Sequence, residues 1–389
     1  MRAVLNMLGF TSGGGLAVGL NMLTQLGEVA PNESFLVLLP NVPAYDNVEL
    51  AANVSKRVFD VSSAKQLGRL WIDHVMIPEC CRRFGANVLF SMSNFGPYRV
   101  PCAHVVGVHL GYLAYPQWPI WSRLSARDRI FLRAQTLYFA ITAAHADRIC
   151  VLTETVRERM ARAFSLTNDR ITVVPNASAP EFDVSAPDDP RVSEMIENHP
   201  AKVRLCYPAL GYPHKNHEVL PEVIRILRGR IDIDEVVILV TIDAGDSANA
   251  RKFISMVESQ RLRSHIVNLG HLERPGVSTV YRHSQALLMP TLLESFSLSY
   301  LEAMRFGVPI LTSEYDFARE VCGDAALYFD PLDPESIARA IARVIQEPNL
   351  GAELRERGTA RLRQYGNTWG EVSEQYIRVL REVSKESRS

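Results

Sequence analysis

Short apolar runs alternate with helix-patterned stretches along the whole chain, and this alternation restricts the possible folds more than any other feature. In the first half, RAVLNML leads through Gly13, Gly14 and Gly15 into a helical pattern. SFLVLLP, NVLFSMS, HVVGVHL, RICVLT and ITVVPN follow as strand candidates, with a long helical segment from about Ser122 to His145. In the second half VRLCYPA, EVVILVTI, HIVNLG, QALLMPT, PILTS and ALYFD recur. Strands joined by helices run parallel, and parallel sheets are covered on both faces, which is why their strands read as continuous apolar runs.

Length then divides the chain. At 389 residues it exceeds one ordinary core, and the polar stretch APEFDVSAPDDPRVSEMIENHP has the composition of a linker. The expected architecture is α/β: two Rossmann-like, doubly wound parallel-sheet domains facing a central cleft. The N-terminal domain is expected over 1–180 and the C-terminal domain over 181–365. Residues 366–389 are expected as a helix packing back on the domains through Trp369, Val372, Tyr376 and Val379.

Composition excludes several classes. A formal charge of −1 gives no basic surface for nucleic acid. No apolar stretch reaches the roughly 18 residues of a spanning helix. The six cysteines, in apolar runs without CxxC spacing, read as buried thiols in a reducing compartment. The expected location is cytoplasmic, peripheral to the inner face of a membrane.

Within this framework PTLLESFSLSYLEAMRFGVPIL, residues 290–311, carries the chemistry. A strand runs directly into a helix that begins near Ser297 to Ser299 and stops at Gly307. Its free amides stand at the carboxyl edge of a sheet, where α/β proteins hold phosphates. Glu294 and Glu302 suit hydroxyl recognition beside such a phosphate, although Ser299 and Glu302 also fit a capping box. A cation must come from elsewhere, and Lys215 in GYPHKNHEVL fits, ahead of a helix that Asn216 can cap. Gly14 and Gly15 allow a phosphate or an acceptor to approach the backbone, or make a tight turn. Val18 at the third glycine position breaks the dinucleotide fingerprint. Asp232-Ile233-Asp234 is a DxD that falls at the amino edge of its strand, so no metal site is expected.

Gly270-His271-Leu272, the 290–309 segment and EVCGDAALYFDPLDPESIARAI together resemble the C-terminal domain of retaining glycosyltransferases of family 4, the group 1 proteins with an E-x7-E motif and the GT-B fold. The first half is similar more weakly, through its glycine loop, RICVLTETVRERM and ITVVPNAS. The resemblance implies a retaining hexosyltransferase of polysaccharide biosynthesis, acting on a glycan or lipid-linked acceptor. No cofactor is implied, since the GDP- or UDP-linked sugar is a co-substrate. It places Glu294 at the donor sugar, Glu302 at the ribose, and the amides of Phe296, Ser297 and Leu298 at the distal phosphate. Lys215 then faces the diphosphate, His271 and Leu272 the base, and His109 the junction of donor and acceptor. The family's arginine five residues before the lysine is Leu210 here, leaving His214 or a distant arginine to replace it. Tyr112, Tyr115 and Trp118, near Arg123, Arg127, Arg129 and Arg133, are expected to bind the acceptor or touch a membrane. A nucleotide-sugar 2-epimerase and a non-catalytic nucleotide-sugar or glycan binder share the architecture and stay open.

Overall fold

The structure, a computed structural model, describes residues 1–61, 66–116, 118–177, 184–365 and 368–386. It divides into two compact units. Unit 1 holds Met1–Gln117, Ser125–Ala179 and Asn367–Ser389; unit 2 holds Trp118–Leu124 and Pro180–Gly366. The expected boundary at 180–181 and the expected start of the C-terminal helix at 366 lie outside the described residues.

Unit 1 is built on seven parallel strands: β1 (Arg2–Asn6), β2 (Ser34–Pro40), β3 (Val54–Phe59), β4 (Val88–Ser91), β5 (Ala103–Gly107), β6 (Arg148–Val151) and β7 (Ile171–Val173). Their order is β3-β2-β1-β4-β5-β6-β7. β1 is central, pairing Leu5 with Val37 on one side and Phe90 on the other. The helix Gly13–Val29 and the C-terminal helix Trp369–Glu386 cover one face, burying Met22, Leu26, Trp369, Tyr376 and Leu380 in a common core. β3 has no counterpart among the expected strands. It is an edge strand whose Ser55, Lys56, Arg57 and Val58 are exposed, so it leaves no apolar run.

Unit 2 repeats the plan with β8 (Val203–Tyr207), β9 (Val236–Val240), β10 (Ile266–Asn268), β11 (Ala286–Met289), β12 (Ile310–Ser313) and β13 (Ala326–Phe329). Their order is β10-β9-β8-β11-β12-β13, again all parallel. β8 and β9 are connected on one side of the sheet, and the chain crosses to β11 on the other side of β8. That reversal makes the β8/β11 pair the switch point, where the loops leaving the carboxyl ends of two adjacent strands diverge and a ligand can enter.

Two local expectations change. The polar linker contains the helix Pro190–Glu197, capped by Asp189, whose carboxylate accepts from the Val192 amide. It is anchored just ahead by Asp188, which accepts from Arg282 and His283. The segment 122–145 is broken at Leu124, with Ser125 capping the long helix Ala126–His145.

Candidate active site

In unit 2 the loops that leave β8 and β11 each deliver one charged group. The β8 loop ends in a 3-10 turn, Pro213–Lys215, followed by Asn216 in the left-handed region at φ 58°. The β11 loop carries Thr291 and Glu294. The Lys215 Nζ donates to Glu294 Oε1 at 2.6 Å, and the Thr291 hydroxyl donates to the same oxygen at 2.9 Å. The two side chains are only 15% and 10% exposed. A desolvated pair of this kind holds together because each charge is costly without the other.

Backbone bonds fix that pair in place. The Leu292 amide donates to the His214 carbonyl at 2.7 Å, and the Tyr207 hydroxyl donates to the Lys215 carbonyl at 2.8 Å. Asn216 does not cap the following helix as expected. Its Nδ2 donates instead to the carbonyls of Pro290 and Pro331, at 3.1 and 2.9 Å, so the side chain clamps the loops after β8, β11 and β13 together.

Downstream of Glu294, Phe296 and Ser297 are buried and Leu298 opens the helix Leu298–Arg305. Ser297 stands at the N-cap, yet its hydroxyl makes no capping bond, so the first turn keeps amide donors for another partner. Glu302 lies in the second turn, 9% exposed, and accepts from the Tyr281 hydroxyl at 2.9 Å. That contact, and the position of Ser299 inside the helix, replace the capping-box alternative. Burial pushes the Glu302 carboxyl up to about 7, opposed by the Tyr281 bond and the charges of Arg274 and Lys215. His271 is exposed and Leu272 partly so; both follow Gly270, at φ 73°, at the carboxyl end of the edge strand β10.

Leu210 holds no charge, and His214 adds none at neutral pH. Burial and the adjacent Lys215 charge hold its imidazole near a pKa of about 4, hence neutral. An arginine does arrive from the first half of the chain. Trp118–Leu124 belongs to unit 2, where Arg123 Nη1 donates to Asn216 Oδ1 at 2.6 Å. Arg123 borders a pocket of about 240 Å³ with Gly211, Tyr212, Asn216, Glu218 and Asn249. Trp118 is fixed in the same way: its indole donates to the Leu292 carbonyl at 2.7 Å, and its ring meets Tyr315 edge-on at 4.8 Å.

The other two expected acceptor aromatics need correction. Tyr112 and Tyr115 are 9% and 1% exposed in unit 1, with the Arg159 guanidinium over the Tyr115 ring. Rings packed in this way present no face for stacking on a sugar.

At the carboxyl edge of the unit 1 sheet, the loops after β1, β4 and β5 meet. Asn94 Oδ1 accepts from the amides of His109 and Leu110, at 2.6 and 2.7 Å. The His109 ring lies edge-on to Phe10 at 5.3 Å, and burial lowers its pKa to about 4, which makes it a neutral imidazole. Gly14 and Gly15 form the first turn of the helix Gly13–Val29. A methyl group on Gly15 would come within 3.1 Å of Phe10, whereas Gly14 has open space.

Asp232 Oδ1 accepts from the Asp234 amide at the start of the short turn leading into β9, opposite the edge that carries Lys215 and Glu294.

Two parallel sheets, each in this strand order, are the GT-B fold. Sequence narrows the class. A family model described as "Glycosyl transferases group 1" matches residues 196–361, and one described as "Glycosyltransferase Family 4" matches residues 34–182. The fold is thus GT-B, and the two matched segments, each under half of the chain, are similar to group 1 and family 4 glycosyltransferases. It is 29% identical over 126 residues to the O-antigen chain mannosyltransferase B of Escherichia coli, covering 32% of each chain. It is 25% identical over 206 residues to the phosphatidylinositol N-acetylglucosaminyltransferase GPI3 subunit of Saccharomyces cerevisiae, covering 52% of this chain and 44% of that one. The alignments thus span between a third and a half of these relatives. Among solved structures, the Anabaena protein HepE in complex with UDP and glucose superposes with a TM-score of 0.74 at 12% identity, over 98% of this chain and 100% of that one.

Proposed function

We propose that the protein transfers a hexosyl group from a nucleoside-diphosphate sugar to a glycan or lipid-linked acceptor, with retention of configuration and without a metal. The observation that carries this reading is the Lys215–Glu294 pair at the β8/β11 switch point, beside the uncapped turn at Ser297. Before the donor arrives, each charge neutralises the other. An incoming diphosphate takes up the Lys215 ammonium and the amides of Phe296, Ser297 and Leu298. Glu294, so released, accepts hydroxyls of the donor sugar. The pair is thereby an exchangeable placeholder for the two halves of the donor.

In the transfer step the acceptor oxygen bonds to the anomeric carbon on the face from which the phosphate leaves. The bond from carbon to phosphate oxygen breaks, and that oxygen takes the acceptor's proton. Lys215 and the helix amides stabilise the charge developing on the departing diphosphate. Glu302 receives a ribose hydroxyl, and the base lies at His271 and Leu272. The acceptor side is assigned to unit 1, at the edge bearing His109, with Gly14 and Gly15 reserved for a phosphate of the donor or for the acceptor. The relatives' names support sugar transfer, and HepE's complex supports a UDP-linked donor, with a GDP-linked one as the alternative.

Incubating the protein with UDP-, GDP-, ADP- and dTDP-sugars, with and without glycan acceptors, tests the reading. Acceptor-dependent release of nucleotide supports it. Conversion of a UDP-sugar with no acceptor present is the result expected of a 2-epimerase, and binding without turnover that of a non-catalytic relative.

A further inference from the structure

The helix Ala126–His145 in unit 1 leaves an apolar stripe in solvent. Ile130, Leu137 and Ile141 are 68%, 65% and 44% exposed, a degree of exposure a soluble surface seldom repeats along one line. At 100° per residue the three fall within about 40° of one another. The neighbouring segment extends the surface. Trp71 is 56% exposed, and the contact of the Tyr138 hydroxyl with His74 Nε2, 3.2 Å, sets the two elements side by side.

Charge decides what covers this face. Arg127 and Arg133 are exposed and lie about 60° to either side of the stripe, where long side chains can keep their heads in a polar layer while the stripe goes deeper. Arg129 adds a third cation on the same helix, and the lone acid, Asp128, is held by the Ser125 hydroxyl at the cap. A second copy of the same face would bring arginine against arginine with no free carboxylate to meet it. A layer of anionic headgroups over hydrocarbon matches both parts. No helix among the described residues is long and apolar enough to cross a membrane, so the helix would lie in the interface.

We propose that the face of Ala126–His145 carrying Ile130, Leu137 and Ile141 docks the protein on an anionic lipid bilayer. The surface differs from the aromatic loop expected from the sequence, whose Tyr112 and Tyr115 are buried. It also stands independently of the donor reading, because lipid binding requires neither donor nor acceptor.

The test is co-sedimentation of the full chain with vesicles of phosphatidylcholine alone and of phosphatidylcholine with phosphatidylglycerol. The expected result is tighter binding to the anionic vesicles, weakening as salt rises. An I130S/L137S/I141S variant should lose at least about tenfold in vesicle affinity. An R127Q/R133Q variant should lose about fivefold per arginine at low salt. All five positions are themselves exposed, and an unchanged thermal unfolding curve shows that each variant folds. Equal affinity for both vesicle types, or none for either, overturns the proposal. So does a wild-type dimer in light scattering that the serine variant converts to monomer.

Discussion

Lys215 Nζ and Glu294 Oε1, 79 positions apart in the chain, meet at 2.6 Å because β8 and β11 are neighbours on either side of the switch point in the unit 2 sheet. The sheet order creates this proximity; no local pattern in either loop does. The pair therefore links fold and chemistry in one contact.

Breaking the pair from either side should cost stability as well as function. Glu294→Leu leaves a poorly solvated ammonium, and Lys215→Met a poorly solvated carboxylate; about 2–4 kcal/mol of destabilisation is expected for each. Replacing both, as in Lys215→Met with Glu294→Leu, should recover most of that loss. Denaturant unfolding of the four proteins gives the coupling energy directly. Losses in the two single variants that simply add in the double variant would show that the contact is not a working ion pair.

Glu302 gives a pH signature. Its folded pKa, about 7, lies above its ordinary value of 4.5, so between those two values the folded state holds a proton that the unfolded state has lost. The associated stability is fully present below about 4.5 and is lost as pH rises through 7. At roughly 1.4 kcal/mol per pKa unit, the loss amounts to about 3–4 kcal/mol at most. Unfolding free energy measured from pH 5 to 8 should decline in the wild type, and Glu302→Gln should remove that decline. A Glu302→Gln profile parallel to the wild type would contradict the assignment. Nucleotide affinity should change in the opposite sense, rising with pH as the carboxylate becomes available to the ribose.

Asn216 clamps three loops with one side chain while holding φ at 58°. Asn216→Ala should cost about 2–4 kcal/mol, from three lost side-chain bonds, the one from Arg123 included, and a strained backbone. Asn216→Gly relieves the strain and should be the milder variant in unfolding experiments. Equal losses in the two would mean that the backbone conformation is unimportant there.

Arg123 and Trp118 tie their segment to the loops that hold Lys215 and Glu294. Arg123→Gln should loosen Asn216 and raise the donor KM several-fold with a smaller change in kcat, since binding and transition state lose the same support. A fall in kcat at unchanged KM would assign Arg123 to the chemical step instead.

Much of this was legible in the sequence. Every strand expected in the two halves is present because parallel strands are buried on both faces and so read as apolar runs. β3 escaped since an edge strand with Ser55, Lys56 and Arg57 in solvent carries no such run. The strand-to-helix passage at 290–305 was also readable, and Lys215, named from the sequence, stands beside Glu294. Long-range contacts were not. The Trp118 and Arg123 bonds span 174 and 93 positions, and nothing in WPIWSR marks it as part of unit 2. Tyr281 and Thr291, which hold the two glutamates, were likewise hidden in ordinary apolar and turn sequence.

The central claim is that Lys215 holds the diphosphate and Glu294 the sugar. Calorimetric titration with the nucleoside diphosphate and with the intact nucleotide sugar, on wild type, Lys215→Met and Glu294→Gln, tests it most directly. The account predicts that Lys215→Met loses affinity for both ligands, whereas Glu294→Gln keeps the diphosphate and loses the extra affinity contributed by the sugar. Wild-type affinities retained by both variants, for both ligands, would contradict it.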